Sequence, residues 1–110
     1  MGLNKQFWDE LAIESYRNII KFKPQNPIFY NNLGLAYQRV DNGKKAIAAF
    51  RKAIRCDRYF PDAHYHLANA LKKNGQREAA QKSFATYQKL CAAAGLDTLI
   101  VEEQVERLLT

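Results

Sequence analysis

The chain of 110 residues has little of what usually announces chemistry. It has two cysteines, Cys56 and Cys91, with no CxxC spacing and no histidine at ligand distance. That excludes a disulfide scaffold and a cysteine-based metal centre. Two small thiols, buried or half-buried, point instead to a reducing compartment, cytoplasmic or similar. The two histidines, His64 and His66, stand two residues apart, so on a helix they point about 200° apart and cannot share one ion. No apolar run approaches the roughly 20 residues a membrane helix needs. The opening MGLNKQF lacks the apolar region of a secretory leader, and Gln6 stands where a myristoylation signal has Ser or Thr. There is no Ser-His-Asp ordering, no carboxylate pair with a reason to be buried and no Gly-rich phosphate loop, so neither an enzyme nor a cofactor or metal is expected.

What the chain does have is positive charge, unevenly placed. The net charge is +6, but Asp97, Glu102, Glu103 and Glu106 against Arg107 give residues 97–110 a charge of −3, which leaves +9 for the rest. A basic body of this kind suits an acidic partner, or nucleic acid or another anionic surface, although charge spread over helix backs commonly serves only solubility. Arg51, Lys52, Arg55 and Arg58 are its densest cluster. One small domain is the expectation from length, with about two-thirds of the unfolded surface buried.

The second feature is a period. Residues 27–60 and 61–94 align without gaps at an offset of 34: Pro27 on Pro61, Leu33 on Leu67, Ala46 on Ala80, Phe50 on Phe84, with Gly34 on Ala68 and Ala36 on Ala70. Self-similarity at this spacing marks stacked two-helix units. Asn26–Pro27 opens the first unit as N-cap and first helical residue. Its helix runs to about Val40, where Asp41-Asn42-Gly43 breaks it, with Gly43 suited to a positive φ. The partner helix, from Lys44 to about Arg55, buries Ala46, Ile47, Phe50, Ala53 and Ile54 and turns Arg51, Lys52 and Arg55 outward. Pro61, Asn74-Gly75 and Arg77 mark the same events one unit later, and Gly95 is the expected end of the alanine-rich helix.

Before these units, residues 3–23 predict a helix with Phe7, Leu11, Ile19 and Ile20 as its apolar stripe, stopped by Pro24. Ala12 and Tyr16 lie 34 residues before Ala46 and Phe50, so this helix matches the second half of a unit. Its uncovered flank, with Phe7, Trp8 and Leu11, predicts a contact surface for another chain or a second copy. After the units, residues 97–110 predict a capping helix: Val101 and Val105 take the places of Leu67 and Leu71, but Glu102 stands where a small residue allows close approach.

Tyr30, Leu33, Gly34, Tyr37, Ala46, Phe50 and Ala53 resemble the tetratricopeptide repeat at every signature position of the unit but one, where Arg58 replaces the usual Pro. The second unit resembles it through His64, Leu67, Ala68, Leu71, Ala80 and Phe84, with Tyr87 where the family has Ala. The resemblance implies an all-α fold, a right-handed α-solenoid of antiparallel helix hairpins. It also implies a protein–protein interaction module, a scaffold or adaptor, whose first helices line a concave groove for a peptide or partner helix. Carried over, the groove residues are Asn31, Leu35, Gln38 and Arg39, with Ile28 at the edge, and then Tyr65, Asn69, Lys72 and Lys73, with Asp62. Asparagine amides can clamp a peptide backbone with one donor and one acceptor. Lys72 and Lys73 also suit a solvated helix end, and Tyr65 suits packing as well as contact. One subgroup grips the C-terminal carboxylate of heat-shock chaperones. Asn32 matches it, but Asp62 and His66 occupy its Lys and Arg places, so a carboxylate clamp is not expected here.

Overall fold

The computed structural model describes residues 4–94 and Arg107. Five helices follow one another: α1 (Lys5–Phe22), α2 (Pro27–Arg39), α3 (Gly43–Cys56), α4 (Pro61–Lys73) and α5 (Arg77–Ala93), with no strand among the described residues. Each helix packs on the next in sequence, and α2 also touches α4, the pattern of stacked hairpins. The α2–α3 and α4–α5 pairs are the more extensive contacts. The body is elongated, 45 × 30 × 23 Å. Gly95 and, Arg107 apart, the expected capping helix over 97–110 lie outside the described residues.

The helix ends are set by short-range chemistry. Asn4, Asn26 and Asn42 each cap a helix start, their Oδ1 atoms accepting from the backbone N–H of Phe7 (2.9 Å), Ile28 (2.9 Å) and Lys45 (3.2 Å). Pro27 and Pro61 open α2 and α4, where a missing N–H costs nothing. Between α2 and α3 the N–H of Asn42 reaches the carbonyl of Tyr37 (2.9 Å) and that of Asp41 reaches Gln38 (3.0 Å). Between α4 and α5, Gln76 and Gly75 make the same bonds to Leu71 (2.9 Å) and Lys72 (3.1 Å). This closure needs one residue in the left-handed region. After α4 it is Gly75, at φ 82°. After α2 it is Asp41, at φ 59°, whereas Gly43, expected to carry the positive φ, is the first residue of α3. The offset decides this: Asp41 lies 34 residues before Gly75.

The loop into α4 holds its shape without the family's proline. The Asp57 carboxylate accepts from the N–H of Tyr59 (3.0 Å), and the buried His64 donates from Nε2 to the carbonyl of Arg58 (2.8 Å). Arg58 lies over the Tyr59 ring, 4.9 Å from its centre.

Packing follows the alternation of bulky and small residues. Phe50 and Phe84 are fully enclosed, with Ala46, Ala68, Ala80, Leu67 and Leu71 around them. A Cβ on Gly34 would come within 2.6 Å of Cδ1 of Phe50, so α2 and α3 approach as closely as they do only because that side chain is missing.

Helix α1 turns a different face inward from the one its apolar spacing predicts. Asp9 is its buried residue, with Ala12, Ile13, Tyr16 and Ile20 half-buried. Phe7 (44% exposed), Trp8 (54%), Leu11 (42%) and Ile19 (38%) face out. Two of the four stripe residues, Phe7 and Leu11, thus belong to the expected uncovered flank, and Ile19 is exposed as well. On this inward face the Asp9 carboxylate meets Arg39 of α2.

Candidate functional site

The expected groove residues occupy equivalent places on two adjacent helices. Asn31, Leu35, Gln38 and Arg39 of α2 correspond, one period on, to Tyr65, Asn69, Lys72 and Lys73 of α4. Asn31 is buried, 5% exposed, and its Oδ1 finds no hydrogen-bond partner among the described residues. Two turns along the same face, Nε2 of Gln38 is likewise shielded and unpartnered. Between them Leu35 packs against the core.

On α4, the half-buried Tyr65 packs its ring among others. Its ring centre lies 5.3 Å from His66, 5.2 Å from Tyr87 and 6.4 Å from Phe84. Burial, with a hydrogen bond to Cys91, pushes the Tyr87 hydroxyl up to about 12. Asn69 and Lys72 are half-buried and Lys73 is exposed. Lys73 and Gln38 meet at a hollow of about 230 Å³ where the ends of α2 and α4 converge, beside Asp41 and Asn74.

Arg39, expected to favour an acidic ligand, also carries an ion pair within the chain. Its Nε donates to Oδ1 of Asp9 at 3.0 Å, the carboxylate being almost covered by α2. Sequence reasoning missed Asp9, which reads as a helix-start residue favoured by the dipole. The spacing that could have found it is the run Asp9, Ala12, Tyr16, Ile20, which shares one helical face.

Asp62 and His66 are the residues that the family resemblance sets at the Lys and Arg places of a carboxylate clamp. Asp62 is exposed. The His66 ring stacks on Phe50, 5.7 Å between centres and 24° between planes. Burial holds its pKa below the usual 6.5, partly countered by the Asp62 charge, so the ring is neutral near pH 7. One anion and one neutral ring replace the two cations a carboxylate would need. Among the described residues, no three His, Cys, Asp or Glu side chains converge on a point that could hold a metal ion.

This geometry can be set beside known proteins. A "TPR repeat" family matches residues 9–41 and 44–75, and a "Tetratricopeptide repeat" family matches residues 28–59 and 61–93. The two frames cut the same helix array at alternate loops. The chain belongs to the tetratricopeptide repeat family, whose stacked hairpins are protein-interaction modules. It is 28% identical over 106 residues to the E3 ubiquitin-protein ligase TTC3 of Rattus norvegicus, a match covering 90% of this chain and 5% of that protein. The fold is similar to the TPR2B domain of yeast Sti1 in its pHsp70 complex, with a TM-score of 0.80 and 22% identity over 88% of this chain and 76% of the other. It is also similar to the first TPR of Spaghetti (RPAP3) bound to the HSP90 peptide SRMEEVD, with a TM-score of 0.79 and 20% identity over 94% of this chain and 79% of the other.

Proposed function

We propose that this chain is a non-catalytic scaffold or adaptor that holds an extended peptide or a partner helix against the face shared by α2 and α4. The observation that carries the reading is the pair of unpartnered amides, Asn31 and Gln38, on one face of α2. Folded proteins leave few such groups unpaired, and each costs about 1–3 kcal/mol. A docked backbone that draws these side chains outward supplies both a donor and an acceptor. Asn69 and Lys72 extend the same wall on α4. Selection of displayed random peptides on the intact chain tests this. Selected peptides lose at least about tenfold in affinity on the Asn31→Ala, Asn69→Ala, Lys72→Glu variant. Equal affinity for both proteins overturns the reading.

The partner's terminal carboxylate is not what the groove grips. Sti1 and Spaghetti are solved with chaperone or chaperone-peptide ligands, but Asp62 and the neutral His66, where the family resemblance sets a clamp's Lys and Arg, oppose a carboxylate here. Calorimetry with SRMEEVD therefore gives no binding in the micromolar range; a micromolar affinity refutes this.

The flank of α1 supports a second contact. Phe7 and Trp8 meet edge to face at 5.6 Å and stay exposed with Leu11. Two copies pairing through it would cover this apolar area. A strict monomer by light scattering at high concentration excludes that. The half-buried Cys56 and buried Cys91, both free thiols, suit a reducing compartment such as the cytoplasm. No helix among the described residues is long and apolar enough to cross a membrane.

A further inference from the structure

The face opposite the α2–α4 wall carries a feature that the repeat period makes visible. Two hollows lie between successive second helices, one between α1 and α3 of about 400 Å³ and one between α3 and α5 of about 390 Å³. They are built from equivalent positions. Arg17 and Lys21 in the first recur as Arg51 and Arg55 in the second, each 34 residues on. Ile20 and Leu33 on the first floor recur as Ile54 and Leu67. The far helix of each hollow adds cations of its own, among them Lys52 from α3 and Lys82 from α5.

No carboxylate lines either hollow. Among the described residues, none of these six cations takes part in an ion pair, the Arg39–Asp9 pair lying elsewhere. Glu10 and Glu14 of α1 open onto a separate hollow beside Arg17 and Lys21. All six cations are exposed. A solvated helix surface usually intersperses both signs. Here one sign collects around two largely apolar floors, in register with the repeat, with Tyr30 and Tyr37 also lining the first.

We propose that this second-helix face is a docking site for an acidic peptide segment whose carboxylates alternate with apolar side chains. The apolar side chains seat in the hollows, and the carboxylates meet the cations on the rims. Nucleic acid fits the same charge but not the floors. Single strands are held by runs of aromatic platforms, and the second hollow has no Phe, Tyr or Trp in its lining. Tyr37, at the edge of the first hollow, is already covered by Lys45, whose Nζ lies 5.7 Å from the ring centre. The site is independent of the α2–α4 wall, so either can fail without the other.

Fluorescence anisotropy on the intact chain tests it, with a labelled peptide of repeating Glu-Leu-Asp-Phe as probe. Two pocket variants, Arg17→Glu with Lys52→Glu and Arg51→Glu with Lys82→Glu, change exposed residues only, and helical circular dichroism checks that they fold. Each weakens binding by about tenfold or more, and the effect shrinks as salt rises. A wall variant, Asn69→Ala with Lys73→Glu, leaves the affinity within about twofold. The neutral peptide Gln-Leu-Asn-Phe binds far more weakly than the acidic one. The proposal is overturned if the pocket variants bind as the parent does, if the wall variant loses the peptide, if the neutral peptide binds equally, or if oligouridylate binds more tightly than the peptide.

Discussion

Replacing Gly34 by Ala sets two terms of opposite sign against each other. In a bare helix the change is favourable by about 0.8–1.0 kcal/mol, because Ala loses less backbone freedom than Gly. In this structure the new methyl would lie 2.6 Å from Cδ1 and 2.7 Å from Cζ of Phe50. Carbon atoms in contact settle at about 3.5–4.0 Å, so ring or helix must yield by roughly 1 Å. The Phe50 ring has nowhere to go: it is fully buried and stacked on His66. Overpacking of this kind costs about 1–3 kcal/mol for an inserted methylene, and a clash with a rigid ring sits at the upper end. The net loss is about 1–2 kcal/mol, which lowers the melting temperature by roughly 5–15 °C in a domain of this size. Urea titration monitored by circular dichroism measures it. Phe50→Leu in the Gly34→Ala background shows the cause, since the smaller side chain relieves the clash and costs about 1 kcal/mol less there than in the parent. The competing outcome is concrete, because Ala68 occupies the equivalent place over Phe84 in the second hairpin. If α2 and α3 relax to accommodate a methyl as α4 and α5 do, Gly34→Ala melts at or above the parent temperature, and the steric reasoning fails.

The turns give an opposed pair: Asp41→Gly stabilises by about 1 kcal/mol by removing a left-handed non-glycine residue, while Gly75→Ala, with open space around its Cβ, destabilises by about as much through backbone strain alone. Chemical denaturation showing the same sign for both would contradict the shared turn geometry. The half-buried His66 makes stability depend on pH. Above its unfolded value of 6.5 both states are neutral and stability is full; below it the unfolded chain takes the proton first, so stability falls as the pH drops. His66→Phe flattens the urea midpoint between pH 7 and pH 5, and an unchanged slope refutes the assignment. For Asp9 and Arg39, one nearly covered and one half-exposed, a double-mutant cycle with alanine gives a coupling of about 1 kcal/mol. A coupling of zero would mean that α1 is held by its apolar contacts alone.

Local chemistry made the helices legible in the sequence. Asparagine before a helix, Pro27 and Pro61 at the first turn, and the match of Phe50 to Phe84 act over a few residues or repeat at a fixed offset. The rest of the Gly34 contact was equally readable, since a missing side chain opposite a phenylalanine has one mechanical use. The groove residues were legible as positions but not as states. Asn31 and Gln38 look like free amides in the sequence, yet their shielding depends on how Leu35 and the adjoining helices close around them.

The sequence by itself determined an array of paired helices, their starts and stops, and the small residues that let them meet, because each rests on neighbours in the chain or on the period. Only the tertiary structure decided that Asp9 turns inward to Arg39, that Asn31 and Gln38 are shielded, and that cations of separate helices collect around two hollows. Those outcomes depend on which face a distant helix presents, and a linear pattern of charge and hydropathy does not contain that information until the helices are packed.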